Sequence, residues 1–149
     1  PTTPSAILKT FVDPTYKYSF KYPDTWLVDQ SNQQFQSWDR SVNIFSSLDT
    51  SKPTDVIGQL YIWKSTVGGR KIDIQSFLEK PPAGGFKEIT ISGYKAYRVD
   101  ETSDGKTTII VFFEKDNKVF QITFTISEGQ KKETNQAISE EILNSFRFD

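Results

Sequence analysis

Apolar and polar residues alternate with period two along most of this chain, and the period changes to 3.6 only near its end. The alternation is clearest in Tyr16-Lys17-Tyr18-Ser19-Phe20-Lys21-Tyr22, which Pro23-Asp24-Thr25-Trp26 stops abruptly. Successive side chains of a strand point to opposite faces, so the four rings share one face and both lysines the other. Rings of that size need a deep layer over them, and Tyr18, Phe20 and Trp26 are expected in the core. Short strands are further expected over residues 26–29, around Val42, Ile44 and Phe45, and around Leu60 and Ile62. The last carries Tyr61 and Trp63 on its opposite face, as an inner strand covered on both sides does. Residues 30–37 and 46–55 are polar and read as loops.

From Ile89 onward, turn signals separate the alternating runs. Ser92-Gly93 is a turn candidate, Asp104-Gly105 is a strong two-residue hairpin signal, and Asp116-Asn117 turns the chain again. The product is an antiparallel meander, with Ile109-Ile110-Val111-Phe112-Phe113 at its buried centre. Phe120, Ile122, Phe124 and Ile126 share a face of its last strand. Two helices complete the pattern. Asp73 caps a short one in which Ile74, Phe77 and Leu78 fall at i, i+3 and i+4, and Pro81-Pro82 prevents its continuation. After Gly129, Ala137, Ile138, Ile142 and Phe146 form one helical stripe with Leu143 beside it, while Glu133, Glu140 and Glu141 point outward. An amphipathic helix directly after a meander lies across the sheet. The fold class is α+β: a mostly antiparallel sheet with helices packed on it.

Length and composition agree with one domain. At 149 residues the chain can bury about two-thirds of its unfolded surface, and its 12 Phe, 6 Tyr and 3 Trp supply the material. Lys and Arg number 18 against 19 Asp and Glu, interleaved along the chain. A nucleic-acid module would show a basic stripe, and none is present. No apolar run reaches the length of a membrane span. Pro1-Thr2-Thr3-Pro4-Ser5 has the composition of an extended stalk, of the kind that follows a membrane anchor.

The absence of histidine and cysteine removes a large part of enzymology. Ser-His-Asp and Cys-His systems are excluded within the chain, as are zinc sites built on thiolate or imidazole. Ser92-Gly93-Tyr94-Lys95 and Ser103-Asp104-Gly105-Lys106 match S-x-x-K, but both cross expected hairpin turns and lack companion motifs. Asp100-x-Thr102-x-Asp104-Gly105 resembles the first half of a calcium loop, yet Val111 stands where a bidentate Glu belongs. Asp24 and Asp39 could enter a cleft as acids, although aspartate more often serves a turn. Gly68-Gly69-Arg70-Lys71 offers amides and cations to an anion, while lacking the P-loop pattern. Trp38 sits in a polar setting beside Arg40. Burial at a sheet edge is its commoner use, and a contact role is the functional one, since Trp and Arg concentrate at binding hot spots.

The strand closed by Tyr22-Pro23-x-x-Trp26 resembles the start of the PsbP-like family. Ile91-Ser92-Gly93-Tyr94-Lys95-Ala96-Tyr97 is similar to its central hairpin, and Ile142-Leu143-Asn144-Ser145-Phe146-Arg147-Phe148 to its closing helix and final aromatic pair. The resemblance runs from Tyr16 to Phe148. It implies an antiparallel sheet between helical layers, an α/β/α sandwich shared with a nuclear Ran-binding import factor. It also implies accessory or interaction proteins, among them lumenal photosystem II subunits and exported or lipid-anchored bacterial proteins. The absence of histidine leaves any histidine metal site of photosynthetic members without a counterpart, and the long leading segment that those members use in docking is not expected here.

The expected organisation is an extended stalk or linker over residues 1–12 and a single PsbP-like domain over 13–149. The expected function is a non-enzymatic, extracytoplasmic interaction or accessory module, a lipoprotein if an anchor lies upstream of Pro1. It would bind another protein through Trp38 and Arg40, with Arg70 and Lys71 as a second surface. No catalytic residue, metal or cofactor is expected, no nucleic acid partner, and a monomeric state. The alternatives are a carrier with an apolar pocket between sheet and helix, and a hydrolase using carboxylates alone.

Overall fold

In the computed structural model, which describes residues 7–31, 37–49, 51 and 54–148, the period-two runs become strands of one large and two small sheets. In chain order these are β1 (Leu8–Asp13), β2 (Tyr18–Pro23), β3 (Leu27–Ser31), β4 (Trp38–Phe45), β5 (Val56–Trp63), β6 (Thr66–Val67) and β7 (Arg70–Lys71). Helix α1 (Ile74–Leu78) precedes β8 (Lys87–Ile91), β9 (Tyr94–Ser103), β10 (Lys106–Lys115) and β11 (Lys118–Ser127), and α2 (Lys132–Ser145) leads to β12 (Arg147–Phe148). The large sheet is seven-stranded with order β3-β4-β5-β11-β10-β9-β8, and all its pairs are antiparallel. A three-stranded sheet, β1-β2-β12, joins α2 in covering one face of it.

The turn chemistry produces this order. Ser92-Gly93, Asp104-Gly105 and Asp116-Asn117 each hold positive φ at both central residues, from 50° to 84°. That is the type I′ geometry, whose twist matches the strands it joins. The meander β8-β9-β10-β11 is thus written by its turn residues.

The covered, inner face contains the core. Ile109, Val111 and Phe113 of β10 and Phe120, Ile122, Phe124 and Ile126 of β11 are all at most 3% exposed. Phe113 stacks on Phe120 with centroids 5.2 Å apart, and Phe146 and Phe148 approach Phe113 edge-on at 5.9 Å. Tyr18, Phe20 and Trp26 are buried as expected. Gly58 of β5 makes room for the packing: a Cβ there would lie 2.8 Å from a ring carbon of Phe124.

Several boundaries differ from expectation. Residues 8–12, assigned to a stalk, form most of β1, because they find a pairing partner: Phe11 lies opposite Phe20, with the rings stacked at 5.2 Å. The stalk residues 1–6 lie outside the described residues, as do 32–36 of the first polar loop. Tyr16 does not share the face of Tyr18, since it belongs to the turn before β2, where Lys17 takes φ 63°. β4 begins at Trp38, four residues before its first apolar pair, with a bulge between Trp38 and Arg40. On α2 the inward stripe is Asn135, Ser139, Ile142 and Leu143, while Ala137 is exposed. Buried Ser139 is tolerated because its Oγ donates to the Asn135 carbonyl at 2.8 Å.

Candidate functional site

The bulge at the start of β4 separates the two residues that the sequence groups together. Trp38 pairs with Trp63 and Arg40 with Ile62, so the extra residue sends Trp38 to the outer face and Arg40 to the inner one. Arg40 is only 16% exposed and lies with its Nε 3.0 Å from Oδ2 of the fully buried Asp13. Asp13 Oδ1 also accepts from the amides of Thr15 and Tyr16 at 3.0 and 3.3 Å, and the guanidinium sits 5.4 Å from the Tyr16 ring centre. Arg40 therefore fastens the β1–β2 turn to the large sheet. Beside this pair, burial and the Asp13 carboxylate push the Tyr18 phenol far above its ordinary range. Asp39, the bulged residue, is held by Lys118 at 2.6 Å, which leaves it poorly suited to act as a cleft acid.

Trp38 is half-buried in a ledge of rings at one end of the outer face. Its ring centre lies 4.6 Å from Tyr61 and 5.9 Å from Trp63. Trp63 donates its Nε1 to Gln121 at 3.1 Å and meets Phe77 of α1 edge-on at 5.4 Å. Phe77 leads on to Phe112, which Phe86 and Tyr97 also contact. The helix is placed by Asp73, whose carboxylate accepts from the Ser76 amide at 3.0 Å in a capping box, and by Glu114, which accepts from the Ile74 amide at 2.9 Å. The hydrogen bonds that the Asp73 carboxylate accepts from the Ser76 amide and hydroxyl hold it below its usual range. The β6–β7 hairpin stands at the same end and exposes Arg70 and Lys71, the latter 82% exposed and 4.0 Å from Asp73. Trp38 and the hairpin of Arg70 and Lys71 thus stand at the same end of the strands, while Arg40 faces the other side of the sheet.

The other candidates resolve simply. Both S-x-x-K matches span type I′ turns. Asp100 is engaged by Arg98 through Nε and Nη2 at 2.7 and 3.0 Å, within a strand. The hollow between α2 and the β1–β2 pair, beside Pro23, Ile138 and Ile142, measures about 70 Å³. Ligand pockets are commonly several hundred Å³. Among the described residues, no helix is long and apolar enough to cross a membrane.

One feature escaped the sequence reading. β9 is ten residues long and β8 only five, so β8 pairs Tyr94–Arg98 and, among the described residues, leaves 99–103 without an outer neighbour. The loop through Gly84 and Gly85 stands off from that edge, and a groove of about 950 Å³ lies between them. The unequal apolar runs on either side of Ser92-Gly93 were the available signal.

The architecture matches a known pattern. A family model described as PsbP-like protein matches residues 2–148. The chain belongs to the PsbP-like family. The cyanobacterial PsbP (CyanoP) from Synechocystis sp. PCC 6803 has the same fold, with TM-score 0.57 and 14% identity over 100% of this chain and 98% of that one. The Ran-binding protein Mog1p of Saccharomyces cerevisiae is similar at TM-score 0.50 and 8% identity, covering 97% and 96%. A crystal structure from Bacteroides thetaiotaomicron VPI-5482 reaches TM-score 0.60 at 16% identity, covering 95% of this chain and 48% of that one, so this PsbP-like chain spans about half its length. At such identities the likeness is one of fold. No curated protein sequence matches the chain.

Proposed function

We propose that this PsbP-like chain is a non-enzymatic, extracytoplasmic accessory module that binds an acidic surface of another protein at the Trp38 end of its sheet. The observation that carries this reading is the exposed pair Arg70 and Lys71 standing at the same end as the ring ledge of Trp38, Tyr61 and Trp63. Rings supply contact area at little entropic cost, and the cations select an acidic neighbour. Mog1p, of the same fold, is a Ran-binding protein, which supports a contact role for this architecture. The extracytoplasmic setting is supported by the exported and lumenal members that the family resemblance implies. Arg40 has no part in the surface.

The test is capture from a membrane-associated extract by immobilised wild type, Trp38→Ala and the Arg70→Glu/Lys71→Glu double variant. Wild type is expected to retain a partner whose affinity falls by about 2 kcal/mol or more in Trp38→Ala, as at a hot spot, with circular dichroism unchanged. Equal recovery of every protein by all three would remove the surface from consideration.

A further inference from the structure

The unpaired edge of β9 lies at the opposite end of the strands from Trp38, since Asp100 aligns with Ile109, Phe124 and Gly58 while Trp38 aligns with Trp63. In the two-residue hairpin closed by Asp104-Gly105, Ser103 exchanges hydrogen bonds with Lys106, and the pattern alternates from there. Glu101 and Val99 therefore bond inward to β10, while the main-chain N–H and C=O of Asp100 and Thr102 point out of the sheet. Among the described residues, no hydrogen bond reaches those groups from the facing loop, whose internal bond runs from the Gly85 amide to the Pro82 carbonyl. Unpaired strand edges are templates for another strand. Here a groove of about 950 Å³ lies along the edge, and residues 99–103 offer about 16 Å of extended backbone at some 3.3 Å per residue.

Charge selects the occupant, since the groove's charged lining, Asp100, Glu101 and Glu140 against Lys87 and Arg98, keeps one net negative charge. Asp100 and Glu140 project on the inner-face side of the edge, with side chains 47% and 33% exposed. Arg98 bridges them, its Nη1 donating to Glu140 at 2.8 Å, so the three groups together keep one negative charge. Glu101 adds another on the outer side. A second copy of this chain paired edge to edge would bring carboxylates against carboxylates, which disfavours self-association. We propose that the β9 edge binds an extended peptide segment of another protein by strand addition, and that the segment carries Lys or Arg at alternate positions, opposite Asp100 and Glu140. Main-chain bonds to Asp100 and Thr102 give affinity, and the carboxylates give sign. This surface is independent of the Trp38 end.

The test is an NMR titration of the unaltered chain with the acetylated, amidated hexapeptide TKVKTV, whose lysines share one face. Shifts are expected to be confined to residues 82–87 and 98–103, with slowed exchange of the Asp100 and Thr102 amides. N-methylating the two peptide amides that face the edge is expected to lower affinity about tenfold or more. The acidic peptide TEVETV is expected to bind more weakly to wild type and to gain affinity for Asp100→Lys. Equal binding of the N-methylated peptide would reduce the contact to charge alone and overturn strand addition. Absence of shifts, shifts centred elsewhere, or a concentration-dependent dimer that protects the same amides would overturn the proposal as well.

Discussion

The two faces of the seven-stranded sheet are built from the same strands and obey different rules. Along β11, Phe120, Ile122, Phe124 and Ile126 point inward and are at most 3% exposed, while Gln121, Thr123 and Thr125 point outward and are half-buried. Across the sheet, the outer row runs from Asn43 through Gln59 to Thr123, all polar, while the inner row beside it runs from Val42 through Leu60 to Ile122. The inner face has two covers, α2 and the three-stranded sheet. The outer face has rings at one end beneath α1, and at the other end Ile57 is 40% exposed. Packing constrains the first face through side-chain volume. The second face is less covered, and the ring ledge of Trp38, Tyr61 and Trp63 lies on it, while the β9 edge lies where the two faces meet.

Neighbouring phenylalanines on β10 offer the strongest way to break this comparison. Phe113 is fully buried among inner-face rings, and Phe112 is 4% exposed beneath Phe77, Phe86 and Tyr97. Phe113→Ala is expected to cost about 5 kcal/mol, because the layers above it are held from several sides and cannot collapse into the void. Phe112→Ala is expected to cost about 3 kcal/mol, since a five-residue helix and a loop can settle inward. Urea denaturation of both variants measures the difference, and equal midpoints would show that the outer cover is as rigid as the inner one. Gly58→Ala comes next, at about 1–3 kcal/mol, because its new methyl would press on the buried Phe124 ring. A midpoint unchanged by that substitution would mean that the inner face yields more than its packing indicates.

The inner face was largely legible in the sequence, because hydrophobic period and turn residues report directly on packing. Phe120 to Ile126 and the Asp104-Gly105 turn needed only local information, as did the Asp73 cap of α1 on the other face. The outer site was legible as residue types and not as geometry. Trp38 and Arg40 are two apart, a spacing that places them on one face of a regular strand, and only a bulge at Asp39 divides them. Bulges depend on what the neighbouring strand offers, here the Trp63 and Ile62 pairings, which no local pattern encodes. From sequence Arg40 reads as a surface cation, because its partner Asp13 lies 27 residues away. Likewise β1 was missed because an edge strand with Leu8 and Val12 more than half exposed shows little alternation.

A third test separates charge from packing on the inner side. The Tyr18 phenol is held neutral by burial and by the Asp13 carboxylate, so its ionisation in the folded state is displaced above its ordinary value of 10.0. A raised value contributes stability that is fully present below about pH 10 and is lost above it, as the unfolded chain ionises first. The loss should approach about 1.4 kcal/mol per pH unit from this group. Tyr18→Phe is expected to flatten the alkaline limb of the stability curve, with a residual slope from Tyr16 and Tyr61, whose phenols burial also raises. An alkaline limb of unchanged steepness in Tyr18→Phe would place the titrating group elsewhere.

The smallest expected effect is also the most direct statement about the outer face. Thr125 lies beside the fully buried Ile126 and faces Ile57 on one side and Thr108 on the other. Its side chain covers part of a surface that carries neither α1 nor the ring ledge. Truncation to alanine removes a β-branched residue from a strand and a little apolar contact with Ile57, both small losses on a half-open face. Thr125→Ala is therefore expected to change stability by about 0.5 kcal/mol or less. The adjacent Ile126→Ala should cost several-fold more, since its methylenes leave a cavity that the inner layers cannot fill. Equal destabilisation of these two neighbours would show that the outer face is packed after all, and would remove the argument that it is open for contact.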